Sequence, residues 1–352
     1  MYEKMGRSLL KNQDYDIHIF GQAIKEDFQE KGITLHPHFC PPKLSFNRIH
    51  TPFKILFNTL KLKPQLIIVN SIDLLILMIL NKILFGTKII YDIRENYNFN
   101  LKYQSSYLGL KKQILRAIIK LIEHTSALFY DHFFLAEKSY HKELNFIKKE
   151  NTTILQNTCI TPNSPPTPFR DKKAPILYSG TIAAEYGIKE LINWKLQSKH
   201  SNKLIIAGFC ANKKLQQWIL DKTTQRTDFE LVGITELVPH QKIIDLIKNS
   251  SMGIMPYQKN KSIDRCVPTK IFEYITYQLP FIISNNPEWK HITNEYQAGL
   301  NINFSNFEEI ESAATKILTE RKTFFTKEGK TNISWNSIEQ SLLLNITNSL
   351  IN

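Results

Sequence analysis

The sequence is short of cysteine, of long apolar runs and, over two stretches, of acid. Its four cysteines in 352 residues, Cys40, Cys159, Cys210 and Cys266, show no C-x-x-C spacing. That argues against a disulfide framework and against a zinc ribbon, and leaves four small buried or half-buried thiols. The longest uninterrupted apolar run, Leu74 to Leu80, has seven residues. A spanning helix needs about 20, so no transmembrane helix is expected. Met1 to Leu10 carries Glu3, Lys4 and Arg7 and lacks the apolar centre of a secretory signal, which points to a cytoplasmic protein. His36 and His38 flank Pro37 without an acid or thiol to complete a metal set, and the segment reads as a solvated loop.

Acid is missing between Glu30 and Asp73 and again between Glu95 and Glu123. The first of these stretches holds Lys31, Lys43, Arg48, Lys54, Lys61 and Lys63, and the second Lys102, Lys111, Lys112, Arg116 and Lys120. Overall the chain carries a formal charge of +13. Both stretches mix basic with apolar residues, which fits an anionic membrane surface, against the plainer reading of ordinary solvated faces. Nucleic acid is not expected as a partner, because no recognition-helix, RNP or zinc-finger pattern accompanies the charge.

What is present is enough hydrophobic residue, 42%, for two cores. Short β-rich runs alternate with helix-length amphipathic segments from Tyr15 onward, the pattern of α/β domains with parallel sheets. Thr161 to Pro168 packs four prolines into eight residues and reads as a linker. The expected organisation is a first domain over 1–160, a linker over 161–174, a second domain over 175–334, and a C-terminal helix over 335–352 returning toward the first. Expected strands include 15–20, 65–70, 88–91, 132–135 and 153–155 in the first half, and 175–179, 203–207, 229–232, 252–255, 281–284 and 300–303 in the second. Helices are expected near 137–146, 239–249, 268–279 and 306–320, the last with Ser305 and Glu308 as a capping box.

In parallel α/β sheets ligands bind beyond the carboxyl ends of the strands. Gly180, Gly208 and Gly233 fall at three such ends, where a missing Cβ allows close backbone approach. The richest segment is Arg265-Cys-Val-Pro-Thr-Lys-Ile-Phe-Glu-Tyr-Ile. Pro268 and Thr269 read as a helix start that attracts phosphate, and Lys270 adds a point charge. Glu273 lies one turn on, able to accept from a ribose diol. A surface ion pair is the bland alternative for Lys270 and Glu273.

These residues resemble the family 4 GT-B glycosyltransferases, especially the capsule and lipopolysaccharide type, over nearly the whole chain. Val267-Pro-Thr-Lys-Ile-Phe-Glu-Tyr with Leu279-Pro-Phe-Ile-Ile-Ser is similar to the family's P-[NST]-K-x-x-E-Y and G-x-P-V-I-x-S. Ile176-Leu-Tyr-Ser-Gly-Thr, Leu204-Ile-Ile-Ala-Gly and Ile90-Tyr-Asp-Ile-Arg-Glu-Asn-Tyr agree in order and spacing. The resemblance implies two Rossmann-like domains facing each other across a cleft. It implies a hexosyltransferase that is retaining and metal-independent, needs no cofactor, and moves a sugar from a nucleoside-diphosphate donor to a polysaccharide or lipid-linked acceptor. Such an enzyme would sit peripherally at the inner face of the membrane. The donor set would be Gly180, Thr181, Gly208, Gly233, Ile234, Asp264, Arg265, Pro268, Thr269, Lys270 and Glu273. Asp92, Arg94 and Glu95 would form the catalytic loop, and Asp92 or Glu95 could serve as base if the reaction were inverting.

Three departures stand out. Arg265 occupies the place of the first glutamate in the family's E-x7-E, Thr181 replaces a common arginine, and the chain opens where the family's first strand should already have passed. The first strand of the N-terminal domain is therefore expected to be missing. A non-catalytic GT-B subunit and a nucleotide-sugar 2-epimerase are the alternatives.

Overall fold

The computed structural model describes the chain apart from residues 1, 12–14, 23–30, 39–46, 105–108, 161–170, 327–332 and 352. Cys40 and the expected linker as far as residue 170 lie outside the described residues. The chain divides into two compact units, Met1–Asn157 with Trp335–Asn352, and Thr158–Ser334.

The first unit opens with a π-helical turn, Tyr2–Gly6, and α1 (Arg7–Leu10). Then come β1 (Ile17–Gln22), β2 (Ile33–His38), α2 (Asn47–Leu62), β3 (Leu66–Val69), α3 (Leu75–Phe85), β4 (Lys88–Ile93), α4 (Tyr97–Gln104), α5 (Gly109–Ala127), β5 (His132–Leu135), α6 (Tyr140–Glu143) and β6 (Thr152–Ile154). The second unit runs β7 (Ile176–Ser179), α7 (Ile188–Gln197), β8 (Leu204–Phe209), α8 (Lys213–Thr223), β9 (Phe229–Ile234), α9 (His240–Asn249), β10 (Met252–Met255), α10 (Thr269–Thr276), β11 (Phe281–Ser284), α11 (Pro287–Glu295), β12 (Gly299–Ile302) and α12 (Phe307–Thr319). The last helix, α13 (Trp335–Ile351), belongs to the first unit.

The strand pairings in both units are parallel. In the first unit β3-β4-β5-β6 form one sheet and β1-β2 a separate pair. Alternate residues of β4 serve two cores. Ile89, Tyr91 and Ile93 pack with Ile55, Leu56, Leu75 and Met78 of α2 and α3. Ile90 faces the other way with Met5, Phe134, Trp335, Leu342 and Ile346, so α13 covers that side. The second unit repeats the plan: Tyr178, Ile206 and Ile254 pack under α7, α8 and α12, while Leu177, Ala207 and Ile283 pack under α9, α10 and α11. Strands buried on both faces need near-continuous apolar runs, and each fully buried aliphatic side chain contributes about 1.5–3 kcal/mol.

Four local expectations are corrected. The segment read as a solvated loop is the strand β2, where His36 stacks between His18 and Phe20 and His38 is only 8% exposed. The helix expected over 137–146 is the single turn α6, ended by Leu144 in an extended conformation. α12 is capped by Asn306, whose side chain accepts from the amides of Glu308 and Glu309, one residue beyond the expected Ser305. The helix α11 was not expected, although Asn286 caps it by accepting from Glu288 and Trp289, and Pro287 stands in its first turn.

Candidate functional site

The sheet of the second unit has the order β12-β11-β10-β7-β8-β9. The chain passes from β7 outward to β9, then returns to add β10 on the other side of β7. That reversal opens a crevice at the carboxyl ends of β7 and β10.

On the β7 side three strand ends meet as bare backbone. Gly180 has φ 118°, Gly208 φ 155° and Gly233 φ 88°, and Gly208 is the register partner of Gly233. A Cβ on Gly208 would stand 1.7 Å from the Gly180 carbonyl oxygen, and one on Gly233 2.4 Å from the Val238 side chain. Only glycine fits at either place. Ile234 follows with φ 64°, a conformation that costs a branched residue about 1–3 kcal/mol, while its side chain is anchored in the core.

On the other side α10 is tied to the end of β7. The Tyr274 hydroxyl lies 3.0 Å from the Ser179 hydroxyl, and Gly253 of β10 makes room for the Tyr274 ring, which a Cβ there would approach to 2.3 Å. With this face of α10 fixed, Lys270 and Glu273 are held at the glycine corner. The Lys270 Cε lies 3.1 Å from where a Cβ on Gly180 would be. Lys270 Nζ donates to Glu273 Oε2 at 2.9 Å, and His240 Nε2 lies 3.2 Å from Oε1. Pro268 is the N-cap of α10 and Thr269 its first residue, so the Thr269 and Lys270 amides have no acceptor within the helix, whereas Ile271 N donates to the Pro268 carbonyl at 3.0 Å.

Glu273 is 8% exposed. Burial pushes its carboxyl upward, but the hydrogen bond from His240 and the charge of Lys270 outweigh that and hold it below the usual carboxylate range. The corner therefore combines a fixed carboxylate, an ammonium group and open helix amides. A carboxylate with lone pairs to spare accepts from vicinal hydroxyls, and the cation with the helix end suits a diphosphate.

The remaining donor-side candidates lie around this corner. Thr181 is exposed, and its carbonyl accepts from the Tyr178 hydroxyl at 3.2 Å. Asp264 and Arg265 sit half-buried in the loop between β10 and α10, where the Asp264 carbonyl accepts from Asn286 Nδ2 at 2.7 Å. His240 was not anticipated. The signal for it was present, a histidine at the start of the helix expected near 239–249, directly after the Gly233-Ile234 strand end.

The catalytic candidates belong to the first unit. β4 runs to Ile93, two residues beyond the expected end, so Asp92 is inside the strand and 2% exposed. Its Oδ2 accepts from Arg94 Nε at 2.6 Å. Burial raises the Asp92 carboxyl, and the Arg94 guanidinium opposes that rise. Glu95 is exposed, with Oε2 accepting from Asn100 Nδ2 at 3.3 Å.

Residues 160–330 match the family model for glycosyl transferases group 1. The chain is a glycosyltransferase. Every residue of the glycine corner and of α10 lies in the matched segment of this glycosyltransferase, His240 included. No curated protein matches the chain in sequence. Among solved structures it is similar to sucrose-phosphate synthase from Thermosynechococcus elongatus, at 13% identity, covering 98% of this chain and 91% of that one with a TM-score of 0.71. It is also similar to HepE of Anabaena in complex with UDP-glucose, at 10% identity and TM-score 0.63, covering 90% of this chain and 86% of that one. A third likeness is to the lipopolysaccharide outer core galactosyltransferase WaaB, at 15% identity and TM-score 0.52, covering 91% and 85%. At these identities the likeness shows the fold, which is GT-B.

Proposed function

We propose that this glycosyltransferase takes a nucleoside-diphosphate sugar in its second unit and transfers the sugar to a polysaccharide or lipid-linked acceptor. The reading places it in surface polysaccharide synthesis of the capsule or lipopolysaccharide kind, as a family 4 enzyme working at the inner face of the membrane. One observation carries it: the Lys270–Glu273–His240 cluster stands over three glycine strand ends, two of which admit no other residue, at the switch point of a parallel sheet. In this reading Glu273 accepts from the ribose hydroxyls, and the Gly233-Ile234 backbone runs along the base. Lys270, with the first-turn amides around Thr269, stabilises the charge that grows on the leaving diphosphate. That stabilisation supplies the leaving-group assistance from the protein itself. In a retaining front-face reaction the departing phosphate oxygen takes the acceptor proton, and no side-chain base is required. Glu95, exposed beyond β4, is the carboxylate available to the acceptor, while Asp92 is engaged with Arg94.

Incubation with a panel of nucleotide sugars and glycan acceptors tests this by product analysis. Transfer yields free nucleoside diphosphate and a longer glycan. A new nucleotide sugar would make the protein an epimerase, and neither product from a folded protein that binds nucleotide would make it a non-catalytic subunit.

A further inference from the structure

α3 lies against α2 on one side and α5 on the other. Its inward residues Leu75, Met78 and Ile79 are buried in the first unit's core. Its outward residues Ile76, Leu80, Ile83 and Leu84, spaced as one helical stripe, are 48%, 38%, 66% and 55% exposed. A helix facing water carries polar residues on that side, and this one carries none. The neighbours continue the pattern, with Phe57 of α2 at 62% and Leu121 of α5 at 68%. Among the described residues, fourteen of the seventeen exposed large apolar side chains belong to these three helices or the two residues after α5. Single exposed aliphatics are ordinary, whereas a continuous field on adjacent helices marks an interaction face.

The charges choose the occupant. Lys54, Lys61, Lys63, Lys111 and Lys120 are exposed on these helices or at their ends, and Lys63 Nζ stands 5.4 Å from the Phe85 ring centroid. The three helices contain one carboxylate, Glu123, and it is 3% exposed. A second copy would set five lysines against lysines, with Asp73 in the turn leading into α3 too little to pair them. An anionic bilayer offers phosphate to the lysines and acyl chain to the stripe. No helix among the described residues is long and apolar enough to cross a membrane. We propose that the α2–α3–α5 face docks flat on an anionic bilayer, with the α3 stripe entering the boundary between headgroups and acyl chains. This deepens the membrane placement proposed above and rests on it.

Vesicle cosedimentation of the full chain is the test. Wild type should bind phosphatidylglycerol-containing vesicles, bind pure phosphatidylcholine far less, and release as salt rises from about 50 to 150 mM. Joint replacement of Ile76, Leu80, Ile83 and Leu84 by serine should cut partitioning at least about tenfold while leaving nucleoside-diphosphate binding unchanged. The single exposed change Ile83→Ser, with less risk to folding, should give a smaller loss in the same direction. Wild-type partitioning by both α3 variants would overturn the face yet keep the membrane placement. If wild type sediments with neither lipid, both fall, and a dimer dissociated by the α3 variants would assign the face to a second copy.

Discussion

Two glutamates, one in each unit, are almost equally hidden and are shifted in opposite directions. Glu273 is 8% exposed and Glu123 3%. Glu273 has Lys270 on one oxygen and His240 on the other, and is held below its ordinary range. Glu123 has the Tyr91 hydroxyl at 3.2 Å, which lowers it, but burial dominates and pushes it up to about 7. Burial therefore does not decide whether a carboxylate is charged; the donors around it do. In the proposed reading the charged one serves the donor beside the glycine strand ends, whereas the other is closed inside the packing between β4 and α5. That is the difference between a group arranged for a ligand and one that the fold accommodates.

Substituting the two residues sharpens the contrast most. Glu273→Gln should lower kcat/KM for transfer about 100- to 1,000-fold with little change in melting temperature, because it removes a site charge and no core volume. Glu123→Gln should leave transfer near wild type. Equal loss of activity in both variants would dissolve the distinction.

The bare backbone under Glu273 gives the next effect. Gly208→Ala places a Cβ 1.7 Å from the Gly180 oxygen, so the strand ends must part. Destabilisation of the second unit by about 3 kcal/mol is expected, read as a lowered denaturant midpoint. An unchanged midpoint would show that the corner is looser than described.

Glu123 should also tilt stability with pH. Its folded value of about 7 lies above the ordinary 4.5, so between these values the native unit keeps a proton that the unfolded chain has released. Stability of the first unit should fall by about 2–3 kcal/mol as pH rises through that window. Melting curves from pH 4.5 to 7.5 should show this slope in wild type, and Glu123→Gln should flatten it. A slope unchanged in the variant would place the titration elsewhere.

The smallest effect belongs to His240. His240→Ala frees one Glu273 oxygen while Lys270 keeps the other, so nucleoside-diphosphate affinity should weaken about tenfold, with His240→Gln partly restoring it. Equal affinities for wild type and both variants would leave His240 without a part in positioning.

The alternation of strands and helices was legible because parallel strands buried on both faces must be continuously apolar, as over residues 204–207 of β8. The Lys270–Glu273 pair was legible because helical spacing alone brings the two together. His240 could be placed at its helix start but its contact with Glu273 could not be read, since that contact spans 33 positions and depends on how α9 and α10 pack on the sheet. β2 was hidden by Pro37 and two histidines, which read as loop until β1 supplies partners for the backbone and a Phe20 ring for His36 to stack on. The apolar surface of α3 was illegible for a related reason. Its run of aliphatics at 74–80 fits a fully buried helix equally well, and only the packing of α2 and α5 on either side reveals which half stays outside.

Calorimetric titration of nucleoside and nucleoside diphosphate against wild type, Lys270→Ala and Glu273→Gln tests the donor site most directly. The arrangement predicts that Lys270→Ala weakens the diphosphate about tenfold or more and the nucleoside little, while Glu273→Gln weakens both. Diphosphate and nucleoside binding unchanged in both variants would show that the donor binds away from α10.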